Sequence, residues 1–364
     1  MNPNACASSP RLSQKRSRPT KCGRLWPRSF GRNPTVAFRD LVGNERVKRA
    51  LQGAVREGQL GPSLLFSGPD GVGKRQFALA LAKTINCPNA SGGDRALPDS
   101  CDLCPSCRKI ERGEHMDVLI VRPETAFLRI EQIRSLCEHA YRKPFEAHWR
   151  VFIIDEAETM TEQAANALLK TLEEPPAGSV LILLTSQLTR LLPTIRSRCQ
   201  IYHFAPLTTA EIEGFLRERF VRPEEEIRLL ARLSRGRIGK ALSIDLSVYR
   251  EMRREVLELL TVLGAGDRVR LIRAAEYWGR RLDREEFERR LDVLEQVLAD
   301  VLRLQLEAGE VVNADIAAHL RSLAVWWPPS RVVRFMEKLA ALRRDLWRQL
   351  NRQLALEALF LAEA

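Results

Sequence analysis

The sequence predicts an α/β fold in which helices cover both faces of a parallel sheet, followed by a part of the chain that is almost entirely helical. Short apolar runs alternate with segments of helical periodicity over the first half of the chain, which is typical of a parallel sheet. A glycine-rich loop directly follows the first of these runs. After about Thr208, strand-like runs nearly vanish, so we expect helical domains to complete the chain.

Length and composition are those of a soluble globular protein with more than one domain. The chain has 364 residues, and at about 150 residues per domain this length favours two to three domains. Apolar residues make up 45% and charged residues 29% of the chain. The longest apolar runs, such as residues 180–184, are far too short to cross a bilayer. These features exclude membrane insertion. Clustered cysteines in a chain without a secretion signal predict a reducing environment and a cytoplasmic protein.

The net charge of +12 is concentrated at the start of the chain. Residues 1–38 contain eight lysines and arginines and no acid, and five prolines among them oppose a long helix. No apolar segment follows the basic residues, which argues against a secretory signal. We interpret residues 1–37 as a basic, disordered tail, with a nucleic-acid-binding arm and an organelle transit peptide as alternatives.

Four continuous apolar runs are predicted strands, and helical segments separate them. The runs are residues 63–67, 118–121, 151–154 and 180–184. Runs that are apolar on both sides of the pleat suit strands of a buried parallel sheet. Helical periodicity covers residues 40–59 before the first run and 76–85 after it.

The rest of the chain carries helix signals. Thr208 or Thr209 is the predicted N-cap of one helix, and Pro223 opens another with three acids in its first turn. Two later stripes of apolar residues recur every three or four positions: Phe287, Leu291, Leu294, Leu298 and Val301, then Phe335, Leu339, Leu342, Leu346, Leu350 and Leu354. They predict the core of a helical bundle, although spacing alone does not distinguish a core from a subunit interface.

The loop after the first strand carries a phosphate-binding motif. Its residues are Gly68, Pro69, Asp70, Gly71, Val72, Gly73 and Lys74, and a predicted helix follows. In this setting the backbone amides converge on phosphate oxygens, the helix N-terminus adds positive potential, and the lysine reaches the terminal phosphates. A glycine-rich turn with a chance lysine is the alternative. The motif predicts that ATP or ADP binds here.

The next position departs from the motif and puts hydrolysis in doubt. Arg75 replaces the Ser or Thr whose hydroxyl ligates Mg²⁺, and a guanidinium has only donors. Asp155 and Glu156 end the third predicted strand and are the candidate catalytic acids. In phosphate-loop enzymes the first such carboxylate helps to hold Mg²⁺, and the second orients and deprotonates the attacking water. We expect nucleotide binding without a well-held Mg²⁺.

A cysteine cluster predicts a metal site. Cys101, Cys104 and Cys107 are each separated by two residues, and Cys87 is the natural fourth ligand. Four thiolates complete the tetrahedral shell of a structural Zn²⁺. An iron–sulfur centre, whose ferredoxin pattern needs a further cysteine after Cys107, and a site without metal are the alternatives. His115 is a possible substitute ligand.

In this order, the phosphate loop, the cysteine insertion and the acidic strand resemble the bacterial DNA polymerase III clamp-loader family of AAA+ proteins. Residues 155–176 read DEAETMTEQAANALLKTLEEPP, which is similar to the family signature, and Ser197-Arg198-Cys199 matches its SRC motif. Residues 41–44 are similar to the segment beside the nucleotide base, with Asn44 in place of the usual Gln.

The resemblance implies an AAA+ phosphate-loop domain over residues 38–206, with a zinc module at 87–107. A small helical lid at 207–246 and an all-α oligomerisation collar at 247–364 would follow. In that family the SRC arginine acts on a nucleotide held by a neighbouring subunit, so Arg198 is implied to be a catalytic arginine finger that acts in trans.

Two departures from the family pattern favour a member that donates an arginine finger and does not hydrolyse ATP itself. The motor subunit of the family, gamma/tau, has Thr after the loop lysine and a phosphate-sensing arginine in the lid, whereas this chain has Arg75 and Gly239 at those positions. A hydrolysis-competent motor subunit of the same clamp loader is the alternative. A zinc-bearing adaptor outside replication is a third hypothesis.

The resemblance also implies partners and an activity. The partners would be gamma/tau and delta subunits in a hetero-oligomeric ring, a sliding clamp, and primer-template DNA bound at its phosphates without sequence preference. The activity would be assistance in ATP-dependent loading of the clamp during DNA replication by the DNA polymerase III holoenzyme.

Overall fold

Residues 37–90, 97–345 and 351–363 are described by a computed structural model. All of them belong to one compact unit, Thr35–Ala364. The predicted tail lies outside the described residues except for Ala37, and so do Leu346 and Leu350 of the second apolar stripe.

Five strands and fifteen α-helices make up the described part of the chain. The strands are β1 Ser63–Ser67, β2 Val118–Val121, β3 Arg150–Ile154, β4 Ser179–Thr185 and β5 Gln200–His203. The helices as far as β5 are α1 Glu45–Arg56, α2 Lys74–Asn86, α3 Pro105–Arg112, α4 Ile130–Ala140, α5 Glu162–Glu173 and α6 Pro193–Arg196. Those after β5 are α7 Thr209–Arg219, α8 Glu224–Ser234, α9 Ile238–Ser243, α10 Leu246–Ala265, α11 Arg268–Glu276, α12 Arg284–Leu306, α13 Ala317–Ala324, α14 Pro329–Asp345 and α15 Arg352–Leu361.

The strands form one parallel sheet in the order β2-β3-β4-β1-β5. Successive side chains of a strand point to opposite faces, so Leu64 and Phe66 of β1 enter one hydrophobic cluster and Leu65 enters another. β1, β3 and β4 are buried along their whole length. The prediction of a parallel sheet covered on both faces is therefore confirmed.

All four predicted strands are present, but the sequence analysis missed β5. This edge strand has four residues, of which only Tyr202 is buried. Tyr202 packs edge-on against Phe66 at a centroid distance of 5.7 Å. A short strand with one buried residue has no continuous apolar run, which explains the omission.

Two predicted helix starts are confirmed. Thr208 is the N-cap of α7, and its hydroxyl accepts a hydrogen bond of 3.2 Å from the Glu211 amide. Pro223 precedes α8, whose first turn holds three glutamates. The helix predicted over residues 40–59 is shorter, because a 3₁₀ turn at Phe38–Asp40 precedes α1 and the helix ends at Arg56.

The C-terminal helices form a core of their own. The whole first stripe lies buried on α12, so it is an internal core. The prediction of the second stripe is wrong at its last residue, Leu354, because this residue lies in a new helix, α15. Asn351 caps this helix by accepting hydrogen bonds from the amides of Gln353 and Leu354. This helix buries another face, and Leu354 is 60% exposed.

Within the described ranges, no helix has both the length and the apolar character that a membrane span needs.

Candidate functional site

The predicted phosphate loop lies between β1 and α2 at the carboxyl edge of the sheet. Gly71 and Gly73 have φ values of 81° and 103°, a region that residues with a side chain rarely adopt. Gly73 is the N-cap of α2, so the helix N-terminus closes the loop. The glycines of the motif thus supply the left-handed backbone that the loop needs.

Lys74 folds back onto its own loop. Its ammonium donates hydrogen bonds to the carbonyl oxygens of Gly68 at 2.5 Å and Pro69 at 3.0 Å, and it lies 3.5 Å from an oxygen of Asp70. Burial lowers the pKa of Lys74, while the negative charge of Asp70 opposes this effect. The lysine is 7% exposed, and groups of the loop occupy its donors. Arg75 follows as the second residue of α2 and is half-buried.

The two candidate acids lie at the same edge, because β1 and β3 are parallel strands of one sheet. Asp155 lies 3.5 Å from Arg122 in an ion pair. Burial raises the pKa of Asp155, and the charge of Arg122 only partly offsets it. Burial and the charge of Asp155 also raise the pKa of Glu156, whose φ of 54° is left-handed. Both carboxyls are therefore weaker acids than usual.

Sequence reasoning missed three polar residues at this edge. Arg122 and Ser186 immediately follow β2 and β4, and Glu158 accepts hydrogen bonds from the amide and hydroxyl of Ser186 at 3.0 and 2.5 Å. Burial opposes ionisation of Glu158, but these bonds outweigh it and lower its pKa. The position of Arg122 and Ser186 directly after strands was a usable signal, because ligands of parallel sheets bind at the carboxyl ends of strands.

The helices after β5 contact the phosphate loop through α9. The Gly239 amide donates a hydrogen bond of 2.8 Å to the Gly71 carbonyl. A Cβ atom on Gly239 would lie 3.1 Å from Gly71 Cα, so a side chain there would push the two backbones apart. The position implied to hold a sensing arginine is thus a glycine that permits close backbone contact.

Asn44 joins the other side of this region to the sheet. Its side-chain amide donates to the Ala205 carbonyl at 3.1 Å, and its side-chain oxygen accepts from the Ala205 amide at 2.8 Å. The segment that is similar to the family's segment beside the nucleotide base is therefore held against the residues that follow β5.

Arg198 lies at the opposite, amino edge of the sheet, between α6 and β5. One guanidinium nitrogen is 2.6 Å from Glu173, and the other donates to the Thr194 carbonyl at 2.9 Å. Gln200 pairs with Leu64 and His203 with Ser67, so the length of β5, about 10 Å, separates Arg198 from the level of its own phosphate loop. A third of the Arg198 side chain, 33%, is exposed.

Cys199 of the SRC motif lies in an apolar environment. Cys199 packs against the hydrophobic cluster below α5 and α6. Burial raises the pKa of its thiol to about 12, which keeps the thiol protonated and unreactive.

The structure brings the four predicted cysteines together. The sulfur atoms of Cys87, Cys101, Cys104 and Cys107 all lie within 4.8 Å of one another, and those of Cys87 and Cys104 are 3.9 Å apart. Zinc–sulfur bonds of about 2.3 Å in a tetrahedron place sulfurs about 3.8 Å apart. The cluster can therefore hold a metal ion, and its donor set and spacing fit a zinc module.

Backbone amides support the thiols. The amides of Cys101, Cys104 and Cys107 donate to the sulfurs of Cys87, Cys101 and Cys104 respectively, each at 3.4 Å. Burial opposes ionisation of Cys101, but amide hydrogen bonds from Cys104 and Leu103 outweigh it and lower the pKa to about 6. Burial instead raises the pKa of Cys107.

Buried charges attach this module to α2. Lys83, which is 0% exposed, lies 3.1 Å from Asp102 and 3.0 Å from Glu111.

His115 does not join the cysteine cluster, so the prediction of a substitute ligand is wrong. Its ring accepts a hydrogen bond from the Asp117 amide at 3.1 Å and lies 3.3 Å from the Ser106 hydroxyl.

Two family profiles match separate parts of this chain. The profile described as DNA polymerase III, delta subunit, matches residues 43–208. The profile described as DNA polymerase III, delta subunit, C terminal, matches residues 251–363. The first covers the sheet with its loops, and the second covers most of the C-terminal helical core.

Curated relatives agree with these profiles. The chain is 34% identical over 263 residues to DNA polymerase III subunit delta' of Bacillus subtilis (strain 168), which covers 72% of this chain and 78% of that protein. It is 36% identical over 212 residues to DNA polymerase III subunit tau of Escherichia coli (strain K12), which covers 57% of this chain and 32% of that protein. The similarity to the tau subunit therefore spans only about a third of that relative.

Proposed function

This chain belongs to the family of DNA polymerase III delta' subunits, and on that premise we propose that it lends a catalytic arginine to a neighbouring ATPase subunit of a clamp loader without turning over ATP itself. The observation that carries the proposal is the contrast between two sites on one sheet. Lys74 of the phosphate loop donates to carbonyl oxygens of the same loop, whereas Arg198 lies partly exposed at the other edge.

Two positions beside the phosphate loop oppose turnover. Arg75 cannot ligate Mg²⁺, and Gly239 supplies no cation to sense a terminal phosphate. The raised pKa of Glu156 suits a general base, but without a held metal the attacking water has no activated phosphate to meet. The loop therefore serves to bind ATP or ADP, without a bound Mg²⁺.

The role of Arg198 follows from its chemistry and position. A guanidinium placed against the terminal phosphate of a neighbour's ATP neutralises charge that develops in the transition state. Such a finger raises turnover by about 10³ to 10⁵ in phosphate-loop systems. A subunit whose own loop does not hydrolyse ATP thereby controls ATP hydrolysis in the neighbouring subunit. Through that hydrolysis it controls the opening and closing of the ring.

The partners and the metal complete the proposal. The neighbours are gamma/tau and delta subunits in a ring that opens a sliding clamp and loads it onto primer-template DNA, with DNA contacted through its phosphates. The ion of the cysteine cluster is Zn²⁺ in a closed, structural site. It fixes the end of α2 and the start of α3 and takes no part in hydrolysis.

The test is Arg198→Ala in a clamp loader reconstituted with its cognate subunits. We expect assembly to be unchanged and the DNA- and clamp-stimulated ATPase rate to fall by the share of turnover that belongs to the adjacent site. Arg190→Ala removes an exposed arginine from the same connection and is the matched control. Unchanged turnover with Arg198→Ala contradicts the finger role.

The rival function, a motor in its own right, is tested with the purified chain. We expect no Mg²⁺-dependent ATP hydrolysis above background. Hydrolysis that Glu156→Gln abolishes supports the motor instead.

A further inference from the structure

The guanidinium of Arg198 is held by groups of its own chain, which include the Ser197 hydroxyl at 3.5 Å. One terminal nitrogen forms a 2.6 Å ion pair with Glu173, and the other donates to the Thr194 carbonyl at 2.9 Å. Glu173 is 25 positions earlier in the chain, so this contact depends on the fold rather than on local sequence. Neither the phosphate loop nor the cysteine module uses Glu173.

Rigid elements carry both partners of the pair. Glu173 is the last residue of α5, whose inner face is buried through Ala164, Leu168 and Leu172. The Arg198 amide donates to the Ile195 carbonyl at 3.1 Å, and the next residue packs into the hydrophobic cluster below. Arginine has a long, flexible side chain, and a fixed carboxylate at its tip restricts it to one orientation.

The pair contributes little to folding, because both side chains are substantially exposed. The exposed fractions are 33% for Arg198 and 48% for Glu173. Exposed ion pairs add little or nothing to stability, and many add nothing measurable. Its effect is therefore on the orientation of the guanidinium.

We propose that Glu173 is the positioning residue of the Arg198 finger. The proposal rests on the function proposed above, in which this arginine meets a neighbour's nucleotide. Glu173 holds the guanidinium in place before the neighbour binds ATP, so that little freedom is lost when the two meet. Since a third of the side chain remains exposed, the guanidinium can meet a phosphate oxygen while the pair persists.

The experiment compares reconstituted clamp loaders that carry Glu173→Ala, Arg198→Ala or both. We expect Glu173→Ala to reproduce at least half of the fall in kcat that Arg198→Ala causes, with KM for ATP unchanged. In the Arg198→Ala background, Glu173→Ala should have no further effect, because a positioning residue acts only through the group that it positions. Glu174→Ala, at the adjacent exposed glutamate, is the matched control and should leave kcat unchanged.

The outcomes separate this proposal from the finger role itself. If Arg198→Ala lowers kcat and Glu173→Ala does not, or if Glu173→Ala lowers kcat equally in both backgrounds, Glu173 is not a positioning residue and the finger role stands. If Arg198→Ala has no effect, the finger role fails first. The thermal unfolding midpoint of the Glu173→Ala chain should match the parent, which excludes a folding defect.

Discussion

The two edges of the central sheet differ in what their polar groups do. At the carboxyl edge, several polar groups bond within the chain: Lys74 donates to loop carbonyls, Glu158 accepts from Ser186, and the Gly239 amide donates to the Gly71 carbonyl. At the amino edge, a guanidinium is partly exposed and four thiols converge without any other ligand among the described residues. The partly exposed guanidinium and the four thiols thus lie at the edge opposite the phosphate loop.

The largest expected effect is the loss of the metal from the cysteine cluster, which we expect to stabilise the fold at the amino edge of the sheet. We expect one Zn²⁺ per chain by elemental analysis, and Cys107→Ser to abolish it. Structural zinc binding is worth about 10 to 16 kcal/mol in small zinc domains, so removal should unfold the region around α3. Cys137→Ser, outside the cluster, is the control and should keep the metal. A metal-free chain with unchanged thermal unfolding contradicts the prediction.

The next effect concerns the buried charges behind the metal module. Lys83→Met removes a fully buried cation, which breaks its ion pair with Glu111 and leaves Asp102 paired with Arg39 alone. We expect the free energy of unfolding to fall by about 3 to 5 kcal/mol. The measurement is urea unfolding, with the exposed Lys170→Met as the control. Equal stability of the two variants contradicts this account.

A smaller effect depends on pH and again concerns the amino edge. Asp117 precedes β2 and accepts hydrogen bonds of 2.8 to 3.0 Å from the amides of Phe145, Glu146 and Ala147. Burial acts to raise its pKa, but these bonds and Arg150 outweigh it and lower the pKa below its usual value. Its stabilisation is therefore complete above about pH 5, begins to fall near the usual aspartate pKa of about 4, and is lost as the pH falls through the lowered pKa.

We expect Asp117→Asn to cost about 1 to 3 kcal/mol of unfolding free energy at pH 7. The difference from the parent should stay constant down to about pH 5 and narrow below pH 4, as protonation removes the same carboxylate from the parent. Urea unfolding across this range measures it. A difference that does not change with pH contradicts the role of the ionised carboxyl.

The smallest expected effect on the complex follows from a substitution in the phosphate loop. Lys74→Ala should weaken nucleotide binding by the isolated chain, because the lysine is the phosphate-contacting cation of the loop. In the reconstituted complex we expect less than a twofold change in the ATPase rate, since the proposed chemistry belongs to the neighbour. If Lys74→Ala lowered this ATPase rate as much as Arg198→Ala does, both edges would contribute to hydrolysis. That result would contradict the proposed difference between the two edges.

Features that depend on neighbours in sequence could be predicted without a structure. The glycines of the phosphate loop, the cysteine spacing, the cap at Thr208 and four strands were predictable, because local backbone preference and a continuous apolar run determine them. β5 was not predictable in this way, since an edge strand needs few apolar residues. The end of the second stripe failed because Asn351 starts a new helix with a different buried face.

By itself, the sequence determined which residue types are available: a phosphate loop without a hydroxyl after its lysine, four thiols and an arginine between Ser197 and Cys199. Only the tertiary structure decided that Lys74 turns back onto its own loop, that His115 stays out of the cysteine cluster and that Glu173 meets Arg198. The physical reason is that these contacts depend on how strands pair and helices pack. Residues far apart in the chain supply their partners, and no local pattern records that geometry.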